Sequence, residues 1–378
     1  MDAVHYLKNT LLNNRGFQIN RKIVVIESDD WGSIRMPNAR TYDILSEDSK
    51  YIKNNPYCRV DTIADSEDME ALFEVLLKFR DIRGNPPIIT ANTVVGNPDF
   101  QKIKENNFTN YYYEPFTETV NRYYPNQNIW QLWEKGVDER IFFPQFHGRE
   151  HLNSAYWLQL LQNKDPQAIK AFDLGCWIIT PNLRNIQASY DVHSDFEEEV
   201  ALQAVKEGLE LFEKIFGYKS LSFIANNFIW NSKIEDVLNQ QEVEILQGMK
   251  YQKLPMLNSG KKRTLTRHYL GSRNKNDQVY LIRNCVFEPS QNITNKNEAE
   301  TCFSEVKNAF FWKKPAVITT HRLNFIGAID KKNRMRNLQM LQDLLDKIIK
   351  TWPDVEFLTS VELGNLILKK KKIDNWKI

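Results

Sequence analysis

Short apolar runs rich in β-branched residues alternate with amphipathic stretches along most of the chain. Ile23–Ile26, Ile88–Ala91, Ile141–Phe143, Trp177–Thr180, Leu221–Ile224, Val243–Leu246, Val279–Ile282, Ala316–Thr319 and Val355–Leu358 each read as a short buried strand. Between them lie patterns of helical period. Ser66–Arg83 has Ser66 as its expected N-cap and Gly84 at its stop; Phe196–Phe216 is introduced by Ser194 or Asp195 as a cap; Arg334–Thr351 is the third clear case. Strands alternating with helices predict a parallel sheet covered by helices, and so many of them in 378 residues suit an α/β fold of the irregular (β/α) barrel kind. No internal repeat and no Pro-, Gly- or Ser-rich linker divides the chain, so residues 1–378 read as one domain. The aromatic, turn-rich stretch from about 92 to 136 is expected to be a loop excursion on the barrel.

Composition narrows the function classes. Fifty Lys and Arg against 48 Asp and Glu leave no basic surplus to draw in nucleic acid. The Lys369–Lys372 run reads as a solvated end. Cys58, Cys176, Cys285 and Cys302 form no C-x-x-C pair, which excludes a zinc ribbon and favours a reducing compartment. The N-terminus lacks the apolar core of a signal peptide, and no apolar stretch approaches the about 18 residues of a membrane span. A cytoplasmic location is the expectation.

Three polar groups fall just past strand ends, where the active sites of barrels lie. The first is Glu27-Ser28-Asp29-Asp30-Trp31-Gly32, whose adjacent carboxylates are costly to bury unless a cation faces them. The second is His147-Gly148-Arg149-Glu150-His151. If helical, its i, i+4 spacing sets two of the chain's six histidines on one face, where they can share a metal. The third is His321, which ends the Ala316–Thr319 run. Asp30, His147 and His151 are thus the expected ligands of one divalent metal ion, which two histidines and one carboxylate leave open to water and substrate. Asp29 is the expected general base and His321 the general acid of an amide or ester hydrolysis. Trp31, inside the acidic motif, and Asn226, at the end of a strand, are candidate substrate contacts.

These residues also carry a resemblance. The chain is similar to the polysaccharide deacetylase superfamily, the carbohydrate esterase family four-like group. Its Thr-Phe-Asp-Asp-Gly motif resembles Glu27–Gly32 with Trp31 inserted, its His-x-x-x-His motif matches His147 and His151, and its Leu-x-His motif resembles Thr319-Thr320-His321. The resemblance implies an irregular (β/α) barrel with loop insertions and zinc or a similar divalent ion. It also implies removal of N- or O-acetyl groups from an acetylated carbohydrate, with Asp29 as base, Asp30, His147 and His151 on the metal, and His321 as acid. One departure stands out. The stretch that should supply an arginine to orient the base, Ser222–Phe228, has none; Arg149, Arg283 and Arg322 are the candidates to replace it. That gap motivates a second reading, a catalytically weak or inactive barrel that binds a glycan or a partner. A third reading takes His147–His151 as H-x-x-E-H, the inverzincin metalloprotease signature. It needs the motif in a helix, Glu150 as base and a ligand from Glu197, Glu198 or Glu199.

Overall fold

The computed structural model of the protein describes residues 3–181, 184–257, 262–291 and 297–369. The Lys370–Lys372 part of the basic run lies outside them. A 9-stranded sheet forms the centre of the molecule. Its strands are β1 (Lys22–Trp31), β2 (Ile89–Val94), β3 (Phe142–Gly148), β4 (Ser222–Ile224), β5 (Ile245–Gly248), β6 (Val279–Ile282), β7 (Cys285–Val286), β8 (Ala316–His321) and β9 (Val355–Phe357).

Every pairing in this sheet is parallel, in the spatial order β6-β5-β4-β3-β2-β1-β8-β7, with β9 beside the start of β1. The two ends of that order are consecutive in sequence. Arg283 N donates to Gly248 O on one side at 3.0 Å, and Asn284 N donates to Val317 O on the other at 3.1 Å. One broken strand therefore closes the sheet into the irregular (β/α) barrel expected from the sequence. All strand C-termini point to one mouth, as a parallel barrel requires.

The helices form for ordinary reasons. Asp195–Phe216 starts on Ser194, whose side chain caps Glu197 N, and stops at Gly217 in the left-handed region. Lys331–Thr351 is capped by Asp330. Ser66–Leu77 is capped by Asp65 in a capping box with Asp68, so Ser66 is the first helical residue and not the cap. Trp177–Thr180 is not a strand. Its apolar side chains join a second core cluster around Trp157, and the Trp177 indole donates to Ile34 O at 2.9 Å. A short apolar run without periodicity does not distinguish a strand from a buried loop.

The stretch from 92 to 136 is also more ordered than a loop. It holds a small antiparallel ladder, Gly96–Pro98 with Tyr113–Pro115, and helices Phe100–Glu105, Phe116–Tyr123 and Ile129–Asp138. Phe116, Ile129 and Trp133 from it pack into the main core.

Candidate active site

Two irregularities in the barrel create the site. In a regular strand Asp29 and Asp30 would point to opposite faces. The β1–β2 register slips between Ser28 and Trp31, and Asp30 takes φ +73°, a left-handed conformation that Asp tolerates better than most residues. Both carboxylates thereby reach the mouth. Gly32 follows at φ +77°, and a Cβ there would sit 2.2 Å from Val94 O, so only glycine closes this bend. The β2–β3 register slips in the same way, pairing Phe146 and then Gly148 with successive residues and leaving His147 on a bulge.

Asp30, His147 and His151 are all buried and converge. His147 Nε2 lies 3.3 Å and His151 Nε2 lies 3.2 Å from the same atom, Asp30 Oδ1. His147 Nδ1 lies 2.9 Å from the Ile224 carbonyl, which can only accept, so Nδ1 carries a proton there and Nε2 faces the carboxylate oxygen. Burial pushes the His151 imidazole below its ordinary range against the pull of Asp30, and its Nδ1 has no hydrogen-bond partner among the described residues. Burial would raise the Asp30 carboxyl, but His151, Arg35 and His147 together hold it well below the usual carboxylate range. A buried carboxylate and two imidazoles with their ligand atoms this close together could hold a cation. Two imidazoles and one carboxylate suit zinc or a similar divalent ion.

The segment carrying the two histidines is not a helix. His147 is the next-to-last residue of β3 and His151 lies in the bend that follows; the tertiary fold, not helical spacing, brings them together. Glu150 is clamped by Arg149 through two bonds of 2.6 and 2.8 Å. Glu197 pairs with Arg184 and Glu198 with Lys233. The H-x-x-E-H protease reading therefore loses its helix and its base.

Asp29 stands beside this group in a different setting. Arg283 Nη2 donates to its Oδ1 at 2.6 Å and Nη1 to its Oδ2 at 2.7 Å, while Nε bonds Glu27 at 2.6 Å. Asn92 Nδ2 adds a bond to Oδ1 at 2.7 Å. Burial would raise the Asp29 carboxyl, yet Arg283 outweighs it and the net shift is downward. Burial dominates at Glu27 and leaves its carboxyl raised despite Arg283. Of the three candidate arginines, Arg283 is the one bonded to Asp29. Arg149 is taken by Glu150 and Glu207, and Arg322 by Asp61 and the Ser33 carbonyl.

His321 is paired with Asp29 across the β1–β8 ladder, and its Nε2 lies 3.8 Å from Asp29 Oδ2. Its Nδ1 lies 2.5 Å from Glu288 Oε1, whose other oxygen accepts from Asn324 at 2.8 Å. Burial would lower the imidazole, but Glu288 prevails and lifts it to about 9.

These groups line one open cleft of about 540 Å³, whose upper walls carry Tyr51, Tyr57, Gln187 and Gln291. Two candidate contacts do not reach it. Trp31 is 1% exposed and packs edge-on to Phe142 and Trp133, its indole bonded to Ser28; the slip that brings the carboxylates to the mouth turns Trp31 into the core. Asn226 is fully buried beneath His147, donating to its carbonyl at 3.2 Å, while the neighbouring Asn227 lines the cleft. Three residues the sequence reading did not single out matter here. Glu288 holds His321, Asn92 holds Asp29, and Arg35 bonds Asp30 Oδ2 at 3.1 Å. Glu288 and Arg283 both follow short apolar strands, the same signal that marked the other site residues. Arg35 has no such signal.

No family model matches the chain, and no curated protein matches it. Several solved structures are similar. A protein assigned as a glycoside hydrolase/deacetylase from Parabacteroides distasonis is 11% identical with a TM-score of 0.47, over 95% of this chain and 74% of that one. One assigned as a polysaccharide deacetylase from Mycobacterium smegmatis is 8% identical with a TM-score of 0.44, over 96% and 97%. The 4-alpha-glucanotransferase from Thermococcus litoralis is 9% identical with a TM-score of 0.45; 93% of this chain spans 41% of its length. The chemistry is accordingly read from the site itself.

Proposed function

We propose that this chain is a metal-dependent hydrolase that removes acetyl or similar acyl groups from the nitrogen or oxygen of a sugar, glycolipid or polysaccharide precursor. The observation that carries the reading is one cleft in which a buried Asp-His-His cation site adjoins an Arg-fixed carboxylate and a Glu-fixed histidine. Asp30, His147 and His151 would hold the ion. A divalent ion there would supply Lewis acidity to an acyl carbonyl and to the attacking water.

The chain's own groups handle the protons. Asp29 lines the cleft, with Arg283 fixing its orientation and keeping it ionised, so it accepts the proton of the attacking water. His321 is cationic at neutral pH and donates from Nε2 to the leaving nitrogen or oxygen. The acyl group departs as a carboxylate and the sugar as amine or alcohol. The binding-only alternative drew its motive from the missing arginine, and Arg283 removes that motive.

The test is turnover of acetylated sugars by the purified, metal-loaded protein beside Asp29→Asn. Turnover should fall by about 100- to 10,000-fold with the metal content unchanged. Normal turnover by Asp29→Asn would remove the carboxylate from the mechanism.

A further inference from the structure

Acidic residues recur along most of the chain, and their longest absence falls on one segment. Between Glu244 and Asp277 the chain has no Asp or Glu, although Lys and Arg recur throughout. This segment forms an antiparallel hairpin of Tyr251–Lys253 and Leu265–Arg267, paired Tyr251 with Arg267 and Lys253 with Leu265. Those four side chains share the outward face: Gln252 between them is buried, whereas Tyr251 is 46% and Leu265 is 56% exposed. Two cations thus alternate with two large apolar groups on one face.

Some of the segment's cations are accounted for. Arg263 pairs with Asp191, Arg273 with Asp277 and Lys275 with Asp236. Lys250, Lys253, Arg267 and the neighbouring Arg15 have no carboxylate partner among the described residues. Lys250 Nζ bonds only the Leu11 carbonyl, and Arg15 and Arg267 lie over the Tyr269 ring. Burial and then the nearby Arg267 push the Lys250 ammonium down. Cations on an exposed hairpin edge can serve to block strand pairing. That role needs neither the exclusion of every acid nor an exposed tyrosine and leucine between the charges.

We infer that the outward face of this hairpin, Tyr251, Lys253, Leu265 and Arg267 with Lys250 and Arg15 at its edge, docks on an anionic lipid bilayer. Cations held against the headgroups with an aromatic and a leucine entering the interface are the two attractions that hold a protein on such a surface. The hairpin stands on the rim of the cleft. Met249, which immediately precedes Lys250, lines the cleft, and Lys253 bridges to Ile229 just beyond the cleft-lining Asn227 and Phe228. A docked bilayer would border the cleft mouth. The inference does not depend on the hydrolase reading.

The experiment is co-sedimentation of the full chain with vesicles of phosphatidylcholine alone and of an equimolar phosphatidylcholine–phosphatidylglycerol mixture, with a single-stranded oligonucleotide as a second polyanion. Binding to the mixed vesicle only, weakened by salt, is expected. Lys253→Glu with Arg267→Glu should lower it by at least about tenfold. Tyr251→Ser with Leu265→Ser should weaken the residual binding at high salt while leaving thermal unfolding unchanged, because these side chains are exposed. Failure to bind the mixed vesicle, or full binding by the charge-reversed variant, overturns the inference. So does equally tight capture of the oligonucleotide that ignores the Tyr251 and Leu265 changes, since that would mark a general polyanion surface.

Discussion

Asp29 and Asp30 are neighbours in sequence, but they occupy two different kinds of site. On the Asp29 side every charge is answered within the protein: Arg283 spans Asp29 and Glu27, and Glu288 answers His321. On the Asp30 side two imidazole nitrogens face the same carboxylate oxygen, and Arg35 bonds the other oxygen. The first half is organised by folding alone. The second is a group that could hold a cation. Placing them side by side separates what the fold must supply from what a ligand supplies.

Breaking the self-contained half should have the largest effect. Arg283→Gln leaves two buried carboxylates without their cation, and a cost of about 3–5 kcal/mol in stability is expected, read from denaturant unfolding, together with loss of turnover. Asp30→Asn should act differently. The protein should stay folded but lose the stoichiometric divalent ion by elemental analysis, and the increase in melting temperature on adding metal should disappear. If Asp30→Asn unfolded the chain as Arg283→Gln does, the contrast between the halves would fail.

Glu288→Gln sharpens the comparison on the proton side. With Glu288 present, His321 titrates near 9, above the ordinary histidine value of about 6.5. Its folded value is raised, so the pair stabilises the protein fully below about pH 6.5, and that contribution is lost as pH climbs through about 9. The alkaline limb of the activity profile should lie near the same value and move towards neutrality in Glu288→Gln, with metal content unchanged. An unmoved limb would detach His321 from the acid role. The smallest effect is expected from Trp31→Phe, which removes the indole bond to Ser28 from a core position. About 1 kcal/mol of stability should go, with KM for an acetylated sugar unchanged.

The pattern of short apolar runs was enough to recognise the barrel, because a strand buried on both faces leaves a run of Ile and Val that local sequence alone encodes. The same pattern located most of the site, since strand ends define the mouth. Asp29, Asp30, His147 and His321 are all found there. It misjudged Trp177–Thr180, because burial in a loop and burial in a strand select the same side chains.

What only the tertiary structure decided is direction and partnership. Trp31 and Asp30 are adjacent, and a single slip of register sends one into the core and the other to the mouth. His151 reaches Asp30 through a bend, and Arg283 reaches Asp29 from 254 residues away. Periodicity reports which positions are buried, since burial depends on the local face of a helix or strand. Which buried charge meets which depends on the closure of the whole sheet, and no local pattern carries that information.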